Sequence, residues 1–461
     1  MRPLRQDDTI AAVATPPGRG AIAVVRVSGP ESGSLIRRLF RPEGRRRLVR
    51  SRAVLGRLID PTDGSIIDQA VVTTYRAPRS YTGQDMAEIS VHGSPVIVRD
   101  ILRLLLHSGA RLAEPGEFTL RAFLAGKLDL TQAEAVRDVV AARTLHQARV
   151  AERQLAGSIS RSLQPVKDEL IAIICTLETE VEFGEDMPEE HLARGLGERL
   201  SAVSKQLASI TAGFRYARLL QDGFSLAIIG GANVGKSSLF NRLVGEERAI
   251  VTELPGTTRD VLREPIQIEG LPVTVFDTAG LRASDDRIER LGIEKSAAAA
   301  ADADVIVFVI DASRGWELAD GERLAAVRPH GVLLALNKSD LPIRTTPSFI
   351  QAARPATPVV LVSARTGAGL DELRRQIRLL VAPEDGLPAD DAIIVGLRQQ
   401  TCIRECLQAL ESAAAALAAG ESEEFLLYHL RRSLAALDTL TGATAVEELL
   451  GRIFDTFCIG K

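Results

Sequence analysis

A glycine-rich stretch from Gly230 to Ser238 contains the residue types that bind polyphosphates. It fits the pattern G-x-x-x-x-G-K-[ST], with Gly230, Gly235, Lys236 and Ser237 at the fixed positions. In such a loop, successive backbone N–H groups at a helix N-terminus surround the phosphates. The lysine reaches the β and γ oxygens, and the hydroxyl ligates Mg²⁺. The stretch therefore predicts a nucleotide site that contains a Mg²⁺ ion.

Four downstream segments indicate which nucleotide this loop binds. Asn337-Lys-Ser-Asp340 ends in a carboxylate that can accept from N1–H and the 2-amino group of guanine, whereas adenine has neither donor there. Asp277-Thr-Ala-Gly280 supplies a carboxylate for the Mg²⁺ shell and a glycine N–H for the γ-phosphate. Gly256-Thr-Thr258 supplies the switch hydroxyl, and Ser363-Ala364 fits the loop behind the base. Together these segments predict a GTPase at 222–380.

The residue that follows Gly280 affects how hydrolysis can proceed. Ras-like switches have a glutamine there that orients the attacking water, but this chain has Leu281, which cannot hydrogen-bond to water. Hydrolysis must therefore recruit another group. Asn233 offers a neutral oxygen that suits a monovalent cation between the phosphates.

The elements around these segments alternate as in an open α/β sheet. Apolar runs that predict parallel strands are separated by stretches with helical spacing. The runs lie at 224–229, 273–276, 305–310 and 332–336.

Residues 8–110 predict short strands followed by one helix, which is typical of an α+β domain. Arg26 lies on an otherwise apolar strand face, either as an edge residue reaching solvent or as the partner of a buried anion. Glu88 likewise interrupts an apolar strand. The strands are predicted at Thr9–Ala14, Ala21–Val27, Ala53–Leu58, Ala70–Tyr75 and Ala87–Val91, and the helix at Val96–Leu106.

Helical periodicity runs from Glu117 to Arg218 and again over 395–455. Neither stretch can bury its apolar stripe alone, so we expect one helical bundle with the GTPase inserted between its two parts. Thr131 and Glu134 fit a capping box at one helix start. The predicted domains are an α+β domain at 1–125, helical parts at 126–220 and 383–461, and an α/β P-loop domain at 221–382.

The formal net charge of −4 gives no overall attraction to nucleic acid. The four cysteines form no disulfide framework, and we expect Cys402 and Cys406 to be core thiols. No signal peptide or membrane-spanning run is evident, so we expect a cytosolic protein. A local arginine cluster is either a solvated loop or an RNA contact; it comprises Arg37, Arg38, Arg41, Arg45, Arg46, Arg47, Arg50 and Arg52.

Together these segments resemble the MnmE/TrmE family of tRNA-modification GTPases over essentially the whole chain. Besides the GTPase motifs, the resemblance is carried by Asp8-Thr-Ile10, Ala14-Thr-Pro-Pro-Gly-Arg-Gly20, Pro115-Gly-Glu-Phe118, Arg121-Ala-Phe123, Lys127-Leu-Asp-Leu130 and Cys458-Ile-Gly-Lys461. It implies an N-terminal folate-binding domain that dimerises, a central helical domain and an inserted GTPase that K⁺ stimulates and G-domain dimerisation activates.

The resemblance also implies a reaction and a partner. With a FAD-dependent protein of the MnmG/GidA type, a homodimer of this chain would form a heterotetramer. That complex would add an aminomethyl or carboxymethylaminomethyl group at C5 of the wobble uridine in certain tRNAs. The one-carbon unit would come from 5-formyltetrahydrofolate or another one-carbon tetrahydrofolate.

Site residues follow from the same resemblance. The folate would lie among Arg26, Glu88, Lys127 and Lys461; K⁺ among Asn233, Thr252, Leu254 and Thr257; and Mg²⁺ would be held by Ser237 and Thr258. GTP would be bound by Asn233, Val234, Gly235, Lys236, Ser237, Ser238, Thr252, Glu253, Leu254, Pro255, Gly256, Thr257, Thr258, Asp277, Thr278, Ala279, Gly280, Asn337, Lys338, Asp340, Ser363 and Ala364. Gln84 departs from the family, which usually has Glu there.

Two residues are candidate catalytic groups. Glu289 matches the family's glutamate that orients the attacking water, although by itself it is equally a solvated helix residue. Cys458 lies in a short C-terminal peptide that either fills a core position or reaches a functional site. We expect its thiol to reach the folate pocket beside Lys461, as nucleophile, proton donor or pocket wall.

Two other functions remain open at this stage. One is a binding switch such as a ribosome-assembly GTPase, which would need neither the folate-like domain nor Cys458-Ile-Gly-Lys461. The other is a folate enzyme that GTP regulates and that acts on a small amine.

Overall fold

The computed structural model describes residues 7–44, 48–183, 190–211, 214–247, 262–277, 303–325, 331–353, 355, 357–382, 396–444 and 447–461. The chain divides into two compact units. The first comprises Met1–Arg137, Gln154–Lys167 and Leu427–Lys461, and the second comprises Asp138–Arg153 and Asp168–Leu426.

The strands and helices are numbered in chain order. The strands are β1 (Ile10–Val13), β2 (Ile22–Ser28), β3 (Phe40–Pro42), β4 (Ala53–Ile59), β5 (Ile66–Tyr75), β6 (Met86–His92), β7 (Arg111–Leu112), β8 (Phe224–Gly230), β9 (Leu262–Ile268), β10 (Leu271–Asp277), β11 (Val305–Asp311), β12 (Val332–Asn337) and β13 (Val359–Leu361). The helices are α1 (Ser32–Leu39), α2 (Pro95–His107), α3 (Glu117–Leu124), α4 (Leu130–Ala141), α5 (Leu145–Leu155), α6 (Ser158–Phe183), α7 (Glu190–Thr211), α8 (Phe214–Asp222), α9 (Lys236–Glu247), α10 (Leu318–Ala325), α11 (Pro347–Ala353), α12 (Leu370–Val381), α13 (Leu397–Ala419), α14 (Glu423–Thr441) and α15 (Glu447–Phe454).

The first unit is built on a seven-stranded sheet with the order β3-β4-β5-β6-β2-β1-β7. Neighbouring strands are antiparallel except β1 and β7, which are parallel. Alternate strand residues such as Val25, Val27 and Ile89 form a core with Leu35 of α1 and Leu105 of α2. The opposite face therefore receives the intervening residues, which include Arg26.

The predicted α+β character of this region is confirmed. Four of the five predicted strands, and helix α2, begin and end within one residue of their predicted bounds. The fifth strand, β5, begins four residues before its predicted start, at Ile66. The prediction of a single helix was wrong, because a second helix, α1, lies between β2 and β3. Its residues Leu35, Ile36 and Leu39 are buried at helical spacing on the sheet.

Two helices from the separated helical segments pack together in the second unit. The buried residues Leu196, Leu200, Val203 and Leu207 follow one side of α7 at spacings of four, three and four. Helix α7 packs on α13, where a β-carbon at Gly197 would lie 3.7 Å from Leu417 Cδ2. The predicted association of the two segments is confirmed for this pair. Cys402 and Cys406 are buried on α13, as expected of core thiols.

The start of α4 differs from the predicted capping box. Asp129 Oδ1 accepts from the Gln132 backbone N–H over 2.9 Å, and Gln132 Oε1 accepts from the Asp129 backbone N–H over 3.0 Å. The reciprocal pair is therefore Asp129 and Gln132, not Thr131 and Glu134. The helix begins earlier because Leu130 is fully buried in a core with Leu450 and Phe454.

The second unit contains a six-stranded sheet with the order β13-β12-β11-β8-β10-β9. The pairs β8–β10, β8–β11, β11–β12 and β12–β13 are parallel, and β9 adds an antiparallel edge. The four predicted strands and their parallel arrangement are confirmed. Parallel strands place their carboxyl ends at one edge, so the segments that follow β8, β10, β11 and β12 meet there.

Candidate functional site

The phosphate-loop sequence folds as a tight turn between β8 and α9. Gly230 has a φ of 149°, and a β-carbon there would overlap the carbonyl oxygen of Val309. Gly235 has a φ of 96°, and a β-carbon there would overlap the amide nitrogen of Asn337. Only glycine fits these positions, because both conformation and space exclude a side chain. Helix α9 begins at Lys236, which points its N-terminal N–H groups into the loop.

Asn337 holds the phosphate loop against the loop that follows β13. Its side chain is buried; Nδ2 donates to the Val234 carbonyl oxygen over 2.9 Å, and Oδ1 accepts from the Ala364 backbone N–H over 3.0 Å. An amide is required, since one end must donate and the other accept. Three segments that are far apart in sequence are thereby fixed at one site.

Lys338 makes a second connection to the phosphate loop. Its ammonium donates to the Asn233 carbonyl oxygen over 2.9 Å and to Asp311 Oδ2 over 2.6 Å. Burial alone would raise the pKa of Asp311, but the hydrogen bonds from Lys338 and Ser313 outweigh it and lower that pKa below its usual value. Asp311 is therefore a stable anion that positions Lys338.

Asp340 presents a carboxylate at the same edge. Its Oδ1 accepts from Ser363 Oγ over 2.7 Å, and Arg365 lies 3.7 Å from Oδ2. The hydrogen bond from Ser363 lowers the pKa of Asp340 below its usual value. The carboxylate is therefore ionised at neutral pH and can accept from two N–H donors of a base.

The nucleotide-site predictions fall into two groups. Residues 233–238, 337, 338, 340, 363 and 364 lie together in the structure, and their role in GTP binding stays a prediction. Asp277 ends β10 beside β8 and so lies at the same edge. Thr252, Glu253, Leu254, Pro255, Gly256, Thr257, Thr258, Thr278, Ala279, Gly280, Leu281 and Glu289 lie outside the described residues.

The second candidate site surrounds Arg26 in the first unit. Arg26 on β2 is directly opposite Glu88 on β6, and its Nε and Nη2 donate to Glu88 Oε1 over 3.0 and 2.8 Å. The guanidinium carbon lies 5.5 Å from the Tyr81 ring centroid and 5.6 Å from that of Phe118. Arg26 is therefore the partner of a partly buried anion and is flanked by two aromatic rings.

A cavity of about 350 Å³ opens beside this pair. Tyr75 is in its wall and donates its hydroxyl to Glu88 Oε2 over 3.4 Å. Such a cavity, with aromatic walls and both charge types, suits a planar polar ligand. The lining residues are Tyr75, Arg79, Ser80, Tyr81, Met86 and Glu88.

The C-terminal peptide reaches Arg26. The Gly460 carbonyl oxygen accepts from Arg26 Nη1 over 3.4 Å, and a β-carbon at Gly460, whose φ is 95°, would overlap the Val13 carbonyl oxygen. Phe457 is buried and Cys458 is exposed, so the residue that fills the core is Phe457 rather than the cysteine.

Lys461 lies half-buried close to Arg26. Burial lowers the pKa of Lys461, the charge of Arg26 lowers it further, and Cys458 acts in the opposite sense. Lys127 is exposed after α3, where a β-carbon at Gly83 would lie 3.8 Å from its Cε. The four proposed folate residues thus belong to one unit, and three of them meet at Arg26.

A network of buried and half-buried charges beside this site was not predicted. Asp8 pairs with Arg111 and Arg121 at 2.7 and 2.5 Å, and Glu117 pairs with the same two arginines at 2.6 and 2.9 Å. Gln84 joins it, since its Oε1 accepts from Arg121 Nη1 over 3.0 Å. Asp8, Glu117 and Arg121 lie in segments that carry the family resemblance. That resemblance was the signal from which the network could have been found.

Gln84 retains an acceptor at the position where the family usually has a carboxylate. Its Oε1 also accepts from Ser28 Oγ over 3.1 Å. Two arginines and two carboxylates already balance in the network, so a neutral amide leaves no unpaired charge.

Comparison with known proteins covers nearly the whole chain. Residues 9–127 match the family described as GTP-binding protein TrmE N-terminus, and residues 130–458 match the MnmE helical domain. The tRNA modification GTPase MnmE of Koribacter versatilis is 45% identical over 458 residues, covering 99% of each chain. That of Heliobacterium modesticaldum is 41% identical over 467 residues, covering 98% of this chain and 99% of the relative.

Solved structures resemble parts of the chain more weakly. The G domain of the T. maritima FeoB iron transporter is 28% identical and covers 34% of this chain and 98% of its own, with a TM-score of 0.27. Aquifex aeolicus Era bound to GDP·AlF4⁻ is 29% identical and covers 40% of this chain and 66% of its own, with a TM-score of 0.29.

Proposed function

The chain belongs to the family of the tRNA modification GTPase MnmE, and on that premise we propose that it hydrolyses GTP and modifies tRNA. The observation that carries the GTP part is the bonding of Asn337, which holds a base-recognition segment and a phosphate loop at one sheet edge. The tRNA part rests on the full-length similarity to relatives that bear that name.

We assign the nucleotide contacts as follows. Asp340 accepts from N1–H and the 2-amino group of guanine, and Ser363 holds that carboxylate in place. The α9 N-terminus and Lys236 neutralise the phosphates, while Ser237 and Thr258 would hold Mg²⁺. Gly230 and Gly235 have no room for a β-carbon. This fits a loop whose backbone a phosphate approaches closely.

Hydrolysis in this proposal depends on a monovalent cation and an acid side chain. Asn233, Thr252, Leu254 and Thr257 would hold K⁺, which would supply positive charge to the phosphates. Glu289 orients the attacking water when two GTPase modules meet, because Leu281 cannot. The Lys338 bond to the Asn233 backbone supports the first role, since it fixes the loop and leaves the Asn233 side chain for the ion.

The Arg26 site is our candidate for a one-carbon tetrahydrofolate such as 5-formyltetrahydrofolate. Glu88 offers acceptor oxygens to the N–H donors of a pterin, and Tyr81 offers a ring face. Arg26, Lys127 and Lys461 supply positive charge toward its carboxylates. When bound, the folate supplies the one-carbon unit for the reaction.

Cys458 is exposed on a peptide that Phe457 and Gly460 anchor, so its thiol can face a ligand at Arg26. We propose that it acts in tRNA modification and not in GTP hydrolysis.

The assembly we propose is a cytoplasmic homodimer, joined through its N-terminal domain, that binds a FAD-dependent partner of the MnmG/GidA type. Its domains are 1–125, 126–220, 221–382 and 383–461. Within the described residues, no helix has the length and apolar character needed to cross a membrane.

A reconstitution tests the proposal. tRNA lacking the modification is incubated with this chain, the FAD-dependent partner, GTP, K⁺ and a one-carbon tetrahydrofolate, and its nucleosides are then analysed. We expect a C5-modified wobble uridine that disappears when GTP is omitted. Unmodified uridine in the complete mixture would reject the reaction.

A further inference from the structure

The arginine cluster near the N-terminus forms a single basic surface in the first unit. It comprises Arg37, Arg38, Arg41, Arg50, Arg52 and Arg57, which are all exposed, and we call it the basic edge. We propose that the basic edge binds the phosphate backbone of tRNA. This inference rests on the proposed function, which supplies tRNA as the nucleic acid.

Local structure brings these arginines together at the end of the sheet. Arg41 on β3 is directly opposite Arg57 on β4. Arg41 Nη1 also donates to the Arg37 and Arg38 carbonyl oxygens over 2.8 and 3.4 Å, which joins it to the last turn of α1. Arg37, Arg38 and Arg41 therefore lie on α1 and β3 rather than in a loop. Arg45, Arg46 and Arg47 of the predicted cluster lie outside the described residues.

The basic edge continues along β4. Arg50 bridges to Thr74, and Arg52 directly precedes the strand. From Ala53 to Arg57 the strand advances about 13 Å, at roughly 3.3 Å per residue. The arginines at the two ends of this stretch are therefore far enough apart to contact different phosphates of one backbone, whereas a single acidic side chain would need only one of them.

The described part of the chain offers this charge no carboxylate partner. Among the described residues, none of the six arginines forms an ion pair, whereas Arg26, Arg111 and Arg121 of the same unit all pair with carboxylates. Like charges on directly opposite strand residues destabilise a sheet. Between 37 and 57 the sequence has nine arginines and one acid, Glu43.

Charge is also divided unevenly along the chain. Residues 1–127 contain 20 Lys and Arg against 12 Asp and Glu, a formal +8, whereas the whole chain has −4 and the remainder therefore −12. Such asymmetry is typical of proteins that bind a polyanion through one domain. Arginine forks bind phosphate oxygens, and these contacts position a nucleic acid without recognising its sequence.

A structural role is the competing explanation. β3 is an edge strand, and charged side chains on such an edge deter pairing with another chain. That role needs no particular partner, so it predicts no effect on tRNA binding when arginine is replaced by a neutral polar residue.

The test compares two triple variants of the full-length chain with equal changes in charge. The edge variant is Arg38→Gln, Arg52→Gln and Arg57→Gln. The control variant is Arg99→Gln, Arg218→Gln and Arg404→Gln, which are exposed arginines that do not belong to the basic edge. Binding to tRNA is measured over a range of salt concentrations, alongside GTP hydrolysis, melting temperature and association with the FAD-dependent partner.

We expect the slope of log K against log salt concentration to be smaller in magnitude by about 2 to 3 in the edge variant. Each phosphate contact that is lost removes about 0.7 to 0.9 from that slope. Its affinity at 0.1 M salt should fall on the order of tenfold to a hundredfold. The control variant should keep the wild-type slope, and both should keep wild-type hydrolysis and melting temperature.

Three results would overturn the proposal. An edge variant that keeps the wild-type affinity and slope, or a control variant that loses as much, would show that this surface does not bind tRNA. If the edge variant lost its association with the FAD-dependent partner but still bound tRNA normally, the basic edge would be a protein-binding surface. If the wild-type chain bound no tRNA, the proposed function would fail as well, whereas the first two results leave it intact.

Discussion

Asn337 donates its side-chain amide to the Val234 carbonyl oxygen over 2.9 Å and so joins the base-recognition segment to the phosphate loop. Its other end accepts from Ala364, next to the serine that holds Asp340. Base recognition and phosphate binding therefore depend on one buried side chain. A nucleotide that fits one segment is placed correctly for the other.

Asp340→Asn should weaken GTP binding and favour xanthosine triphosphate. The Asn amide would meet the guanine 2-amino group as one donor facing another, but it can donate to the 2-oxo group of xanthine. A charge-assisted bond contributes about 1.5–3 kcal/mol, so the affinity for GTP should fall about tenfold or more. Titration with fluorescent nucleotides measures this. Asp371→Asn, a fully exposed position on α12, is the control and should bind GTP normally; unchanged affinity in Asp340→Asn would contradict the assignment.

GTP hydrolysis should slow steeply when Na⁺ replaces K⁺, and Asn233→Ala should remove that difference because it removes the proposed K⁺ ligand. Asn233 has a φ of 61°, so alanine also introduces backbone strain there. Asn233→Gly is the matched control, since it lacks the side-chain oxygen without the strain. Steady-state hydrolysis in the two salts should be equal in both variants. Equal wild-type rates in the two salts would reject the K⁺ site.

Cys458→Ser should abolish tRNA modification while GTP hydrolysis and melting temperature stay unchanged. The side chain is exposed, so the nearly isosteric replacement removes the thiol without disturbing packing. Cys175→Ser, another exposed cysteine, is the control and should leave modification intact. Full modification by Cys458→Ser would leave the thiol no chemical role.

Asp8→Asn should destabilise the first unit, and the effect should depend on pH. Burial alone would raise the pKa of Asp8, but the bonds from Arg111 and Arg121 outweigh it and lower the pKa below its usual 3.8. The stabilisation by the charged form is therefore complete well above pH 3.8 and is lost as the pH falls through the lowered value. We expect a loss of about 2 kcal/mol at neutral pH, measured by denaturant unfolding.

The wild-type and Asp8→Asn proteins should converge in stability at low pH. Asp100→Asn, which breaks an exposed pair with Arg103, is the control and should cost less stability than Asp8→Asn does at neutral pH. A pH-independent difference between wild type and Asp8→Asn would show that the carboxylate charge does not stabilise the network.

Local patterns predicted the parts of the fold that local forces determine. The phosphate loop followed from fixed spacing, and nine of the thirteen described strands followed from runs of apolar residues, whereas β3, β7, β9 and β13 were missed. β9 was missed because Pro265 interrupts its pattern; an edge strand tolerates a proline that a central one would not. α1 was missed because Gly33 and two serines weaken its helical signal, while burial of Leu35 and Leu39 on the sheet stabilises it.

Long-range pairings were beyond such patterns. Arg26 and Glu88 were each noted as unexpected charges in apolar strands, but only the register of β2 and β6 pairs them. The bonds of Arg121 to Asp8 and Gln84 join parts of the sequence that carry no mutual signal. The same holds for the contact of Gly460 with Arg26, which turns a C-terminal peptide into part of a site.

The most direct test of the central claim is nucleoside analysis of tRNA from a strain that lacks this protein. The account predicts that the C5 modification of wobble uridine disappears in that strain. It should return with the wild-type gene, but not with a gene encoding Cys458→Ser. Normal wobble uridines in the strain without the protein would contradict the assignment of this chain to tRNA modification.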